Sequence, residues 1–115
     1  RSGCGILLDV NNVWVNAVNF GFDPRAYIEA IPPSLVGEYH LGGFERTPAA
    51  LIDTHGTRVS PDVWELFEAS VAHLGTRPTL VEWDTALPGL DVLIEEAQRA
   101  RSIAAGARRS PRQAA

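Results

Sequence analysis

Apolar and polar positions along this chain switch between the two-residue period of strands and the 3.6-residue period of helices. Residues 5–10, GILLDV, are a short apolar run ending at an acid, the pattern of a buried strand. The Asn-rich NNVWVNAVN that follows has no clean helical period and predicts a long loop. In FDPRAYIEAIP, Asp23 is placed to cap a helix, Pro24 fits its first position, and Tyr27 and Ile31 share a face before Pro32 and Pro33 stop it. VGEYHL, residues 36–41, predicts a second strand, and Gly42–Gly43 then opens a loop running through LIDTHG to about Val59. The clearest helix is SPDVWELFEASVAHLG. Ser60 caps it, Pro61 begins it, Asp62 favours the positive end of its dipole and Gly75 ends it, with Val63, Phe67, Val71 and Leu74 on one stripe. TLVEW, residues 79–83, predicts a third strand. A last helix from about Pro88 to Ala104 is expected to bury Leu90, Leu93, Ile94 and Ala97.

Strands that alternate with helices and are apolar on both faces imply an α/β fold with parallel strands and right-handed crossovers. Successive strand ends lie about 30 and about 40 residues apart, ordinary for β/α units. A complete eight-fold barrel needs about 250 residues, so within 115 residues a barrel reading is of part of one. We expect one region of fold over residues 1–105 and a disordered tail over 106–115.

Composition narrows the function classes. The hydrophobic fraction of 45% and charged fraction of 21% suit a globular protein, and no apolar run approaches the ~20 residues that span a bilayer. Net charge is −4, unevenly spread: residues 1–96 hold all the acidic groups and five arginines, while residues 97–115 hold five arginines and no acid. The acidic body argues against nucleic acid as a partner and suits a carboxylate-rich site. The opening RSGCGILLDV lacks the regions of a signal peptide and reads as a cut start. The single cysteine, Cys4, cannot form an internal disulfide, so a reducing, cytoplasmic location is the expectation.

The polar groups that remain sit where strands end and loops converge, the functional face of β/α units. Asp9 closes the first strand and Asn12 follows it; His40 closes the second; Asp53 and His55 lie in the loop after it; Glu82 closes the third. Singly, each has a plain reading. Asp9 and Asn12 suit loop capping, His40 a satisfied core position, and Asp53-Thr54-His55 an Asx turn. Glu82 is harder to place, because an unpaired carboxylate on a central strand costs several kcal/mol unless it is neutralised. Together, two imidazoles, three carboxylates and an amide on one rim call for a divalent cation. With no thiolate, the set favours iron, manganese or zinc, and two histidines with a carboxylate suit iron. Ser60 and Ser70 lack a nucleophile elbow, Gly42–Gly43 and Gly3-x-Gly5 are not a phosphate-binding fingerprint, and Cys4, His73 and the tryptophans read as packing or surface residues.

GILLDVNNVWVNAVNFGFDP, GEYHLGGF, LIDTHG and LVEWD, in this order and spacing, closely resemble the carboxyl-terminal half of the DUF692 or UPF0276 proteins, the multinuclear iron oxidases. The resemblance covers about residues 3–104. It implies a barrel like that of xylose isomerase. It also implies an oxygen-dependent enzyme, carrying two or three irons, that oxidatively rearranges cysteine in a ribosomally made precursor peptide, as in methanobactin and 3-thiaglutamate biosynthesis. A small partner protein that helps present the peptide is implied too. Iron ligation falls to Asp9, His40, Asp53, His55 and Glu82, with Asn12 preferred over Asn11 because the related endonucleases place a histidine three residues after the aspartate. Phe44 departs from the pattern, standing where the family commonly has histidine. The other half of the barrel, with further ligands, would have to come from upstream sequence or another chain. Two alternatives stay open: a zinc or manganese hydrolase or isomerase on the same barrel, and an inactive truncated gene product.

Overall fold

The structure is a computed structural model that describes residues 4–108. Its centre is a three-stranded parallel sheet of β1 (Ile6–Asp9), β2 (Val36–Leu41) and β5 (Thr79–Val81), in the order β1-β2-β5. The strands are joined through α1 (Val10–Phe20), α2 (Pro24–Glu29) and a short 3-10 turn at Pro33–Leu35, then through α3 (Pro61–Leu74), and α4 (Leu90–Arg108) follows the last of them. This is the expected α/β alternation with parallel strands, in the arrangement of a segment of a β/α barrel.

One face of the sheet is covered by helices. Leu8, Tyr39 and Leu41 point into a core with Val63, Trp64, Phe67 and Val71 of α3, where Tyr39 and Phe67 meet edge to face at 5.4 Å. Tyr39 donates its hydroxyl to Gly75 O at 2.6 Å, and burial pushes its pKa up to about 12. Because successive strand side chains alternate, Leu7, Asp9, Glu38, His40, Leu80 and Glu82 fall on the other face, where Leu7 and Leu80 are about half exposed. The strands are therefore apolar toward the helices and mixed on the opposite side, rather than apolar on both.

Further expectations change. NNVWVNAVN is helical, not a loop. Asp9 caps it by accepting from Asn12 N at 2.9 Å, Val10, Val13 and Ala17 bury one stripe, and Gly21 ends it at φ 76°. The asparagines that weaken its propensity are used in tertiary bonds: Asn19 both donates to Leu51 O and accepts from Leu51 N, each at 2.9 Å. That grip holds a small hairpin, β3 (Glu45–Arg46) and β4 (Leu51–Ile52), inside the stretch expected to be loop. Finally, α4 packs against the core through Glu96, Ala100 and Ile103, leaving Leu90 and Ile94 exposed and turning Leu93 and Ala97 to the cleft beside β5. The helix also runs on to Arg108, past the boundary expected at residue 105; residues 109–115 of the expected tail lie outside the described residues.

Candidate metal centre

The carboxyl ends of the three parallel strands meet at the level of one rim. Asp9 is the register partner of His40, and Glu82 follows β5 with its N–H donated to Leu41 O at 2.7 Å. All three fall on the face away from the helices. Asp53 and His55 come to this rim from the segment after β4, held by His55 N donating to Gly43 O at 3.0 Å. The six residues read from the sequence form a connected set. Asn12 Nδ2 donates to Asp53 Oδ2 at 3.4 Å; Asp53 Oδ1 lies 2.8 Å from His55 Nε2; His55 Nδ1 is 3.8 Å from Glu82 Oε2; and Glu82 Oε1 is 2.6 Å from His40 Nδ1. Among the described residues, ligand atoms of Asp9, His55 and Glu82 lie within 4.8 Å of one another. Two donors on one cation, each with a bond of about 2.1 Å, are separated by at most about 4.2 Å, so small rotations bring these three onto one ion. His40 stands beside the triad, tied to it through Glu82.

His55 is the most constrained of the set. Its φ of 52° lies in the left-handed region, uncommon for a residue with a side chain. Its carbonyl accepts from Asp84 N at 2.7 Å and Thr85 N at 3.4 Å, and its Nδ1 pairs with Asp84 Oδ2 at 3.0 Å. Gly42 leaves the ring its space, since a Cβ there would come within 2.7 Å of His55 Cδ2. Gly43 is equally required, because its Cβ would collide with Thr57, backbone included.

Acidic charge is concentrated here, and among the described residues the imidazoles of His40 and His55 are the partners set against it. Burial raises the pKa of Asp9; the Asn12 N–H opposes this, and the neighbouring Asp53 and Glu82 charges add to it. For His55, burial disfavours the imidazolium, but the Asp84 hydrogen bond and the charges of Asp53, Glu82 and Asp9 outweigh it, so its pKa rises. His55 Nε2 is buried and has no hydrogen-bond partner, because the close approach of Asp53 Oδ1 lacks hydrogen-bond geometry. Asn11 Oδ1 is likewise buried and unpartnered. A ring nitrogen without a hydrogen bond, on a histidine clustered with carboxylates, is what a divalent cation would satisfy, and the oxygen and nitrogen donors suit iron, manganese or zinc.

The sequence reading passed over two residues. Asn11, completely buried, donates Nδ2 to Asp53 Oδ1 at 2.5 Å and Gly43 O at 3.1 Å, so it fixes Asp53, whereas Asn12 is exposed and bonded by Asn16. Asp84 holds His55; its nearness to Glu82 in LVEWD was the available signal. Arg58, which flanks the segment, is engaged by Glu95 and Glu96 of α4.

The sequence profile of the family described as RiPP precursor modification enzyme MbnB/TglH/ChrH matches residues 1–105. The chain belongs to this family. Curated relatives include UPF0276 proteins of Acaryochloris marina, 50% identical over 100 residues, of Anaeromyxobacter sp., 49% over 107, and of Chromobacterium violaceum, 44% over 106. These matches take in 87%, 93% and 92% of this chain but only 36%, 38% and 38% of the relatives, so the chain spans just over a third of their length. In this MbnB/TglH/ChrH member Phe44 packs against the core and its carbonyl accepts from Thr57 Oγ1 at 3.5 Å. Among the described residues no helix is long and apolar enough to cross a membrane.

Proposed function

We propose that this chain carries part of the metal centre of an iron-dependent oxidase that modifies cysteine in a ribosomally made precursor peptide. The observation that bears the reading is the Asp9–His55–Glu82 cluster, whose histidine also carries a buried Nε2 with no hydrogen-bond partner beside Asp53. Membership of a family of peptide-precursor modification enzymes supports the substrate class.

In this reading Asp9, His55 and Glu82 hold one iron, Asp53 lies against the same histidine, and His40 shares Glu82, placing its imidazole for a second ion. Asn12 borders the site through Asp53. Bound iron would supply redox chemistry toward dioxygen that no side chain possesses. The chain's own contribution is to fix these donors on three strand ends and one clamped loop, and to keep Asn11 and His55 Nε2 out of water. The face carrying Leu7 and Leu80 is then the inside of a xylose-isomerase-like barrel, whose remaining units and ligands, to a total of two or three irons, lie outside these 115 residues. A cytoplasmic location and a small peptide-presenting partner complete the proposal.

Metal analysis and oxygen uptake after anaerobic and aerobic purification test it. Stoichiometric iron with oxygen consumption on adding a cysteine-containing precursor peptide is expected. Stoichiometric zinc without iron or oxygen uptake would overturn the oxidase in favour of a hydrolase or isomerase using the same donors.

A further inference from the structure

We propose that Asp84 is a positioning residue that fixes His55 in the tautomer with a proton on Nδ1, leaving Nε2 bare on the side of Asp53. The assignment rests on the metal-centre reading and says how one ligand is made ready for it. A carboxylate only accepts hydrogen bonds, so the 3.0 Å contact between Asp84 Oδ2 and His55 Nδ1 puts the proton on Nδ1. A neutral imidazole has one N–H, and Nε2 is then a lone pair. The other ring nitrogen agrees: it is buried and makes no hydrogen bond, although Asp53 Oδ1 is 2.8 Å away. The opposite tautomer would aim a lone pair at Asp84 and an N–H at a carboxylate badly placed to receive it.

Asp84 also grips the same residue through the main chain, donating its N–H to His55 O at 2.7 Å. Two bonds from one residue, with Gly42 against the opposite edge of the ring, leave the imidazole little freedom to rotate. The loop after β5 therefore supplies both a ligand, Glu82, and the residue that orients a ligand from another loop. A metal-bound histidine commonly donates its second N–H to such a carboxylate, and loss of that partner weakens metal binding by about 10- to 100-fold.

The test uses the full chain, ¹⁵N-labelled and metal-free, above the imidazole titration range. Two-bond ¹⁵N–¹H spectra identify each histidine tautomer, and Zn(II) serves as the diamagnetic binding probe. The wild type should show His55 with Nδ1 protonated and Nε2 bare. Asp84→Asn, whose amide oxygen still accepts, should retain that pattern; Asp84→Ala should let the Nε2–H form grow and weaken Zn(II) binding by about 10- to 100-fold. An Nε2–H wild type overturns the assignment, as does an Asp84→Ala protein with wild-type tautomer and wild-type Zn(II) affinity. Should the wild type bind no Zn(II), the metal reading fails, and the tautomer spectra still decide the role of Asp84.

Discussion

Replacing Gly42 with alanine is expected to damage the metal centre far more than the fold. Gly42 follows β2, and a Cβ there would lie 2.7 Å from His55 Cδ2. Carbon atoms pack at about 3.5 Å or more, so the ring must move by roughly 0.8 Å. Several bonds resist that movement: His55 N to Gly43 O, Asp84 N to His55 O, and Nδ1 to Asp84. Metal ligand distances tolerate only about 0.2 Å, so a displacement four times larger takes the His55 imidazole out of range, and metal affinity should fall by about 100-fold, the effect of losing a well-placed partner. The stability cost is that of one overpacked contact, about 1–3 kcal/mol. Zn(II) titration by calorimetry beside thermal melting by circular dichroism separates the two effects. Gly37→Ala is the control, because its Cβ would meet only Ile6 O at an ordinary 3.9 Å. A Gly42→Ala protein that binds Zn(II) as tightly as the wild type would refute the steric argument.

Glu96→Ala should cost about 1–3 kcal/mol in urea denaturation, since Glu96 Oε1 accepts from the buried Val59 N–H at 2.8 Å and alanine leaves that donor unpaired; Glu96→Gln, which keeps an acceptor, should cost clearly less. Asn19→Ala removes both bonds that hold Leu51, and hydrogen exchange should then be faster at the Leu51 amide while the β2 amides keep their protection. The pH response depends on metal. His55 is raised from 6.5, so the stability it gives the metal-free chain is complete below 6.5 and is lost as pH rises through its higher folded value; Asp9 behaves likewise upward from 3.8. Metal affinity runs the opposite way, because the cation competes with these protons, so Zn(II) binding should strengthen between about pH 5 and about pH 8, and a flat profile would contradict the assignment of His55 as a ligand.

Much of this was legible in the residues. The apolar runs ending at Asp9, at His40 and at Glu82 gave the parallel strands, and the Ser60-Pro61 start and the Val63-Phe67-Val71-Leu74 stripe gave α3. The misses share a cause. Helix α1 has poor propensity and is held by a cap and a buried stripe, while its asparagines bond to residues 32 or 42 positions away. The face of α4 is set by Glu96, a buried carboxylate whose partner is the Val59 N–H, and hydrophobic periodicity cannot see a backbone donor. At the site, strand ends revealed which residues carry donor atoms. What orients them was hidden: Asn11 acts on Asp53 across 42 residues and Asp84 on His55 across 29.

Asp9 ends a strand, caps α1 and stands in the proposed metal triad, and this threefold use restricts what evolution can write at one codon. Asparagine or serine would preserve the cap and lose the anion; glutamate would preserve the anion and, with a longer side chain, lose the cap geometry. Each requirement alone tolerates several residues, but their intersection holds one. An aspartate here is therefore a signature of two constraints acting together, and a lineage released from metal binding would be free to wander to Asn or Ser at position 9 without loosening the helix.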